Sequence, residues 1–348
     1  AGERIALIGD YDVDGMTSSA LLALYLEAAG ANPLVHIPDR VTEGYGPSPA
    51  AISELRRKGA DLVVTLDCGA AAHEAMAHAG AVGLDAVIVD HHPASADLPR
   101  ACAVINPNRQ DDTSGLGYLS AAGVTMMLLA GLNRRLRRQG FWGAVPEPDL
   151  LENLDLVALA TVCDAVPLTG LNRAFVIQGL KVMAERRRPG LVALADVARL
   201  TRRPDVHALG FILGPRLNAA GRIGDAMLGL ELLMTRDRGR AQALAQQLEQ
   251  LNRERQKIEL AAVDAAQDQA AAALERWTSK DDARIQRDPQ TGRVYLSPTA
   301  PFGWIDRPPS LNRLIGVKWL AQLFYPDRFA FDLAAETRRF YRLFYHVE

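Results

Sequence analysis

The stretch LIGDYDVDGMTSS, residues 7–19, sets Asp10, Asp12 and Asp14 at alternate positions where an apolar run stops. Alternate side chains of an extended segment share one side, so the three carboxylates are expected to converge before Gly15 turns the chain into a helix. Carboxylates that close repel one another and hold their protons well above the ordinary range unless a cation neutralises them. Taken alone, this pattern also makes turns and helix caps, with Thr17 and Ser18 as further capping residues. A calcium loop would require a glutamate about six residues after the glycine, and Leu21 stands there. Three other acids end apolar runs: Asp67 in VVTLDCGA, Asp90 in VIVDHHPAS and Asp164 in ALATVCDAVPL. Asp67 and Asp164, each by itself, fit a helix cap. Two adjacent histidines, His91 and His92, beside an acid at the end of a buried strand fit a metal or phosphate role better than a structural one. Together, oxygen and imidazole donors from four separate segments, without thiolates, suit a pair of divalent ions such as Mn²⁺ or Mg²⁺. A carboxylate shared by two ions about 3.5–4 Å apart is an arrangement that cleaves phosphoesters, and a histidine free of metal can meet the phosphate oxygens.

Such a site needs elements that bring its segments to one edge. RIALIGD, PLVHIPD, DLVVTLD, DAVIVDHH and CAVINPN read as short strands. SSALLALYLEAAG, SPAAISELRRKG and HEAMAHAG read as intervening helices. Strands apolar on both faces and alternating with helices predict an α/β fold with a doubly wound, mainly parallel sheet. Ligands of such sheets collect at the carboxyl ends of the strands, where the acids fall. Residues 148–235 read as mostly helical. From Arg240 to Arg276 there is almost no Gly or Pro, and Leu244, Leu248, Leu251, Ile258 and Val263 mark one face of a single amphipathic helix, roughly 55 Å long. The expected organisation is therefore an α/β domain over 1–165, a helical completion over 166–239, a connector helix over 240–276 and a tail over 277–348. The tail differs in composition, since residues 276–348 hold 13 of the 21 aromatics. Its Trp304, Trp319, Tyr341 and Tyr345 are expected to pack a small helical hairpin rather than stack on bases.

The 348 residues, 23% charged with a formal net charge of −2, describe a globular chain that composition alone does not mark as a nucleic-acid binder. No run approaches the roughly 20 apolar residues of a membrane span, and the first residues read as strand rather than as an export signal. Cys68, Cys102 and Cys163 have no metal-type spacing and fit a reducing cytoplasm. The basic clusters NRRLRRQ (133–139), ERRRP (185–189) and LTRRP (200–204) are expected to be solvated helix ends.

GDYDVDGMTS, LDCG, DHH and VCDAVPL, in that order and spacing, resemble the four signatures of the DHH phosphoesterase superfamily. IPDRVTEGYGPS, AVINPNRQDD, AAGVTMMLL, PLTGLNRAFVIQGL and FILGPRLNAAGRIGDA further resemble the RecJ single-strand-specific exonucleases, over residues 1 to about 265. That resemblance implies a cytoplasmic, monomeric 5′–3′ exonuclease of DNA recombination and repair. It implies two Mn²⁺ or Mg²⁺ ions, single-stranded DNA as substrate, and a single-strand-binding protein as partner. It assigns one ion each to Asp12 and Asp14, the bridge to Asp67, and the second site's completion to His91 and Asp164. His92 would face the scissile phosphate, Asp90 would orient the histidines, and Arg216, Asn218 and Arg222 would contact the strand. One departure is Ile8, where many DHH enzymes place a metal-binding histidine, so Asp10 or water is expected to complete a looser first site. The other departure is beyond Arg276, where the glycine-rich second domain and the oligonucleotide-binding barrel of RecJ are not found. Residues 292–348 instead resemble the C-terminal end of a periplasmic iron- or molybdate-type transporter binding protein. Two alternatives stay open: a phosphoesterase of short oligonucleotides, cyclic dinucleotides or pyrophosphate, and an inactive fusion.

Overall fold

The computed structural model describes residues 2–143, 145–278 and 332–345, with the isolated positions Lys318, Gln322, Asp327 and Arg328. All five expected strands form: β1 Ile5–Gly9, β2 Leu34–His36, β3 Leu62–Leu66, β4 Asp85–Val89 and β5 Ala103–Ile105. They make one parallel sheet in the order β2-β1-β3-β4-β5. The chain leaves β1 outward to β2 and returns to β3 on the other side, so the order reverses between β1 and β3, where sheets of this kind bind ligands.

Both sheet faces are covered, as the uniformly apolar strands require. Leu7, Val64, Leu66 and Val89 enter the larger core with the helices α1 Val13–Ala28, α4 Ala121–Arg138 and α5 Leu154–Cys163. Ala6, Ile8, Val63, Ala86 and Ile88 point the other way, into a smaller core with α2 Pro49–Arg57 and α3 His73–Ala81. Ile8, at the position of the absent histidine, is fully buried in that second core. The larger core continues through α6 Gly170–Ala184, α7 Pro189–Val197, a π-helical turn at Ala208–Leu213, α8 Gly214–Ile223 and α9 Met227–Met234. Gly179 lets α6 lie directly on α5, since a Cβ there would sit 2.1 Å from the Leu154 carbonyl oxygen.

Two expectations change. α1 begins at Val13, not after Gly15, because the Asp12 side chain caps it by accepting from the Gly15 N–H at 3.1 Å. Asp10, Asp12 and Asp14 therefore converge through a strand end, a cap and a first helical turn rather than by extended alternation. Of the basic clusters, Arg135, Arg137 and Arg138 do lie in the last turn of α4, where cations favour the helix dipole. Arg188 does not stay in solvent: it is half-buried, pairs with the buried Asp155 at 2.8 Å and also donates to Asn153 and the Leu233 carbonyl.

The long helix α10 spans Arg238–Thr278, 41 residues or about 62 Å. Ala241, Leu244, Ala245 and Leu248 seat it in the larger core, whereas Ile258 of the same stripe is exposed. The chain divides into two compact units, Ala1–Glu259 and Leu260–Glu348. In the second, α11 Leu333–Tyr345 carries Glu336, which pairs with Lys318. Trp304 and Trp319 lie outside the described residues, as do the side chains of Tyr341 and Tyr345, so the expected hairpin packing falls there too.

Candidate active site

Three aspartates extend the strands by one residue. The backbone N–H of Asp10 donates to Leu66 O, that of Asp67 to Val89 O and that of Asp90 to Ile105 O, each to the neighbouring strand. The ladder thereby fixes all three at the carboxyl edge. Asp67 adopts φ +63°, a left-handed conformation that Asp and Asn tolerate better than other side chains. Asp14, on the first turn of α1, is buried, and its two oxygens accept from the backbone N–H groups of Ala121 and Ala122 at 2.6 and 2.9 Å. Those donors open α4, whose positive helix end suits a carboxylate. Asp164 is the C-cap of α5.

Asp90 is buried and fully occupied. One oxygen accepts from Ala70 N–H; the other faces the His91 and His92 N–H groups and His92 Nδ1, the last at 2.8 Å. It holds the histidine pair instead of meeting a ligand. His91 donates from Nδ1 to the Leu119 carbonyl at 3.1 Å, which turns Nε2 towards the acids: 3.2 Å from Asp67, 3.7 Å from Asp164 and 3.8 Å from Asp14.

The ligand-type atoms fall into adjoining groups, each within 4.8 Å: Asp10 with Asp12 and Asp67, Asp14 with His91 and Asp164, and Asp67 with both histidines. Asp67 belongs to two of them. Burial, and then the neighbouring acids, push the group upward in pKa: Asp10 to about 7, Asp164 to about 6, and Asp14 and Asp67 well above the carboxylate range. Burial opposes the Asp90 charge, but its hydrogen bonds from His92 and Ala70 outweigh that and keep it low. Burial and the His92 charge lower His91, which favours its neutral, ligating form, while the bond to Asp90 raises His92. Asp67 Oδ1, His91 Nε2 and Asp164 Oδ2 are buried without a hydrogen-bond partner. Buried polar atoms seldom remain so, and three of them facing one another in an acidic cluster fit a bound cation. The set is oxygen and imidazole only: the thiols of Cys68 and Cys163 point at backbone carbonyls instead, so the donors fit Mn²⁺ or Mg²⁺ rather than a thiolate-seeking ion.

The three residues expected to contact a strand all lie on α8. Arg216 is half-buried and bonded to Glu249 of α10 at 2.6 Å and to the Ile212 carbonyl. The Asn218 oxygen accepts from Val13 N–H at 3.1 Å. Arg222 is exposed. Other residues of the site were not singled out from sequence. Asn106 and Asn108 donate to the carbonyls of His92 and His91 and clamp the histidine backbone. Tyr45 donates to the Asp67 carbonyl at 3.2 Å and stands edge-on to His92 and Tyr11, with Arg40 over the Tyr11 ring at 5.4 Å. Their signal was position: both asparagines follow β5, and Arg40 and Tyr45 follow β2, at the same sheet edge.

Residues 4–161 match the model of the DHH family, N-terminal domain. The single-stranded-DNA-specific exonuclease RecJ of Salmonella typhimurium is 42% identical over 265 residues, covering 74% of this chain and 46% of the relative; RecJ of Escherichia coli is 41% identical over 263. The chain thus spans about half the length of these relatives. A crystal structure of exonuclease RecJ bound to manganese aligns with TM-score 0.69 and 36% identity, over 77% of this chain and 66% of that one. Thermus thermophilus RecJ in complex with Mn²⁺ aligns with TM-score 0.64 and 34% identity, over 76% and 37%.

Proposed function

We propose that this chain, whose residues 4–161 match the DHH family, N-terminal domain, hydrolyses phosphodiester bonds of single-stranded DNA from the 5′ end, using two Mn²⁺ or Mg²⁺ ions. The observation that carries this reading is the pair of adjoining ligand groups that meet at Asp67 and His91. Asp10, Asp12 and Asp67 would hold one ion; Asp14, His91 and Asp164 would hold the other, with Asp67 between them. When bound, the ions supply an acidified water and positive charge for the phosphate and the leaving oxygen. The chain's own residues prepare the ground. The α4 amides fix Asp14, Asp90 fixes both histidines, and His91 enters neutral. His92, about half exposed and drawn to its charged form by Asp90, presents Nε2 to a phosphate oxygen and offsets its charge as the bond breaks. Arg40, Tyr11 and Tyr45 line the same mouth and suit a nucleotide's phosphate and base.

We place the activity in the cytoplasm, by a monomer that meets its substrate alongside a single-strand-binding protein. Among the described residues no helix is long and apolar enough to cross a membrane. The test is hydrolysis of 5′-phosphorylated single-stranded DNA with added Mn²⁺. Release of nucleotides that stops with chelator and with Asp67→Ala supports the reading. Activity indifferent to both would overturn it, and a preference for dinucleotides over long strands would replace the substrate class.

A further inference from the structure

We propose that Asn218 and Gly221 are positioning residues for the metal site, holding the backbone on both sides of Asp12 rather than gripping the strand. The proposal rests on the two-ion reading above. Val13 is the first residue of α1, and the N–H groups of a helix's first turn have no acceptor inside the helix. The cap Asp12 spends its oxygen on Gly15 N–H, so Val13 N–H needs an outside partner. Asn218 Oδ1 supplies it at 3.1 Å, from 205 residues away in sequence. On the other side of Asp12, the Tyr11 carbonyl presses on Gly221, where a Cβ would lie 2.1 Å from the oxygen and 3.0 Å from the carbonyl carbon. The two peptide planes flanking Asp12 are thus held by one segment, Asn218–Gly221, less than a helical turn long.

That segment is itself firmly seated. Leu217 and Ala220 are fully buried in the larger core, Ala219 is fully buried beside them, and Arg216 ties α8 to Glu249 of α10. Such a backstop limits the directions in which the free Asp12 oxygen and the adjacent Asp14 can point, which is what a site of crowded carboxylates needs before cations bind. Residues that orient ligands commonly change metal affinity by 10–100-fold when removed.

The experiment measures Mn²⁺ binding to the full chain without DNA, by the electron paramagnetic resonance signal of free Mn²⁺, for the wild type, Asn218→Ala and Asn218→Asp. Asn218→Asp keeps the oxygen that accepts from Val13 and loses the amide N–H₂ that a strand contact would use. The proposal expects Asn218→Ala to bind Mn²⁺ about 10–100-fold more weakly, with nuclease turnover recovered by raising Mn²⁺, and Asn218→Asp to bind at least as well as the wild type. Should Asn218→Ala fail to fold by circular dichroism, Asn218→Ser, whose hydroxyl is too short to reach Val13, takes its place. Unchanged Mn²⁺ affinity in the shortened variant, with weaker DNA binding alone, overturns the proposal and returns Asn218 to the strand. A wild-type chain that binds no Mn²⁺ sinks the two-ion reading itself, and this inference with it.

Discussion

At the scale of single residues, charge crowding decides the behaviour of the site. Asp67 sits at φ +63° with a buried, unpartnered oxygen, so Asp67→Asn keeps the backbone while removing the charge that two cations would share. Nuclease activity should fall by at least on the order of 10²-fold, the scale for losing one preorganised electrostatic partner, while circular dichroism stays that of the wild type. Asp90→Asn should leave the acids in place and loosen the histidines; a loss of about 10–100-fold in Mn²⁺ affinity or activity is expected, read by the same two assays. The pH dependence has a definite sign. Asp10 and Asp164 titrate near 7 and 6 in the fold against an ordinary value of 3.8, so the metal-free native chain binds more protons than the unfolded one between about pH 4 and pH 7. Its stability is then present in acid and falls as pH rises through that window. Thermal melts of the metal-free chain should drop between about pH 4 and pH 7, and Mn²⁺ should raise the melting temperature more at pH 8 than at pH 5. The acids and histidines were legible in the sequence because each ends an apolar run. Asn106, Asn108, Arg40 and Tyr45 were not, because they act on backbone or ring neighbours that only the folded sheet edge brings near.

At the scale of elements, the strands were readable from β-branched runs with an acid at the end, and the structure keeps all five. What escaped was the join between β1 and α1. Gly15 reads as a turn, yet it is helical and serves close approach: a Cβ there would lie 2.4–2.6 Å from backbone atoms of Asp10. A capping carboxylate at Asp12 and a contact to a distant helix set that start, and neither is encoded in local spacing. Gly15→Ala should push α1 away from the β1 end, costing about 1–3 kcal/mol in urea unfolding, as overpacking generally does. It should also weaken Mn²⁺ binding, by separating Asp10 from Asp12 and Asp14. A variant as stable and as tight for Mn²⁺ as the wild type would show that the close packing sets neither.

At the scale of the whole molecule, the helices beyond Leu154 do more than complete a core. Arg188 of ERRRP, which reads as a solvated helix end, is 13% exposed and binds Asp155, itself 4% exposed. Composition cannot reveal such a pair, because its partner lies 33 positions earlier. Arg188→Met should cost about 3–5 kcal/mol in urea unfolding by stranding the buried Asp155 charge, and the double change with Asp155→Leu should recover much of it. Asp155 and Arg188 lie at the start of α5 and before α7, whereas Asp164 ends α5, so stability should fall in these variants with Mn²⁺ affinity little changed. Unit Ala1–Glu259 contains every residue of the candidate site, and the long helix α10 was readable from its Gly- and Pro-free periodicity. The tail's aromatic content, by contrast, has no described packing to compare it with.

The most direct test is diffraction at the manganese absorption edge from crystals of the chain grown with Mn²⁺. Two anomalous peaks about 3.5–4 Å apart are expected, one among Asp10, Asp12 and Asp67 and one among Asp14, His91 and Asp164. Saturating Mn²⁺ with no peak at these side chains, or a peak elsewhere only, would contradict the two-ion reading.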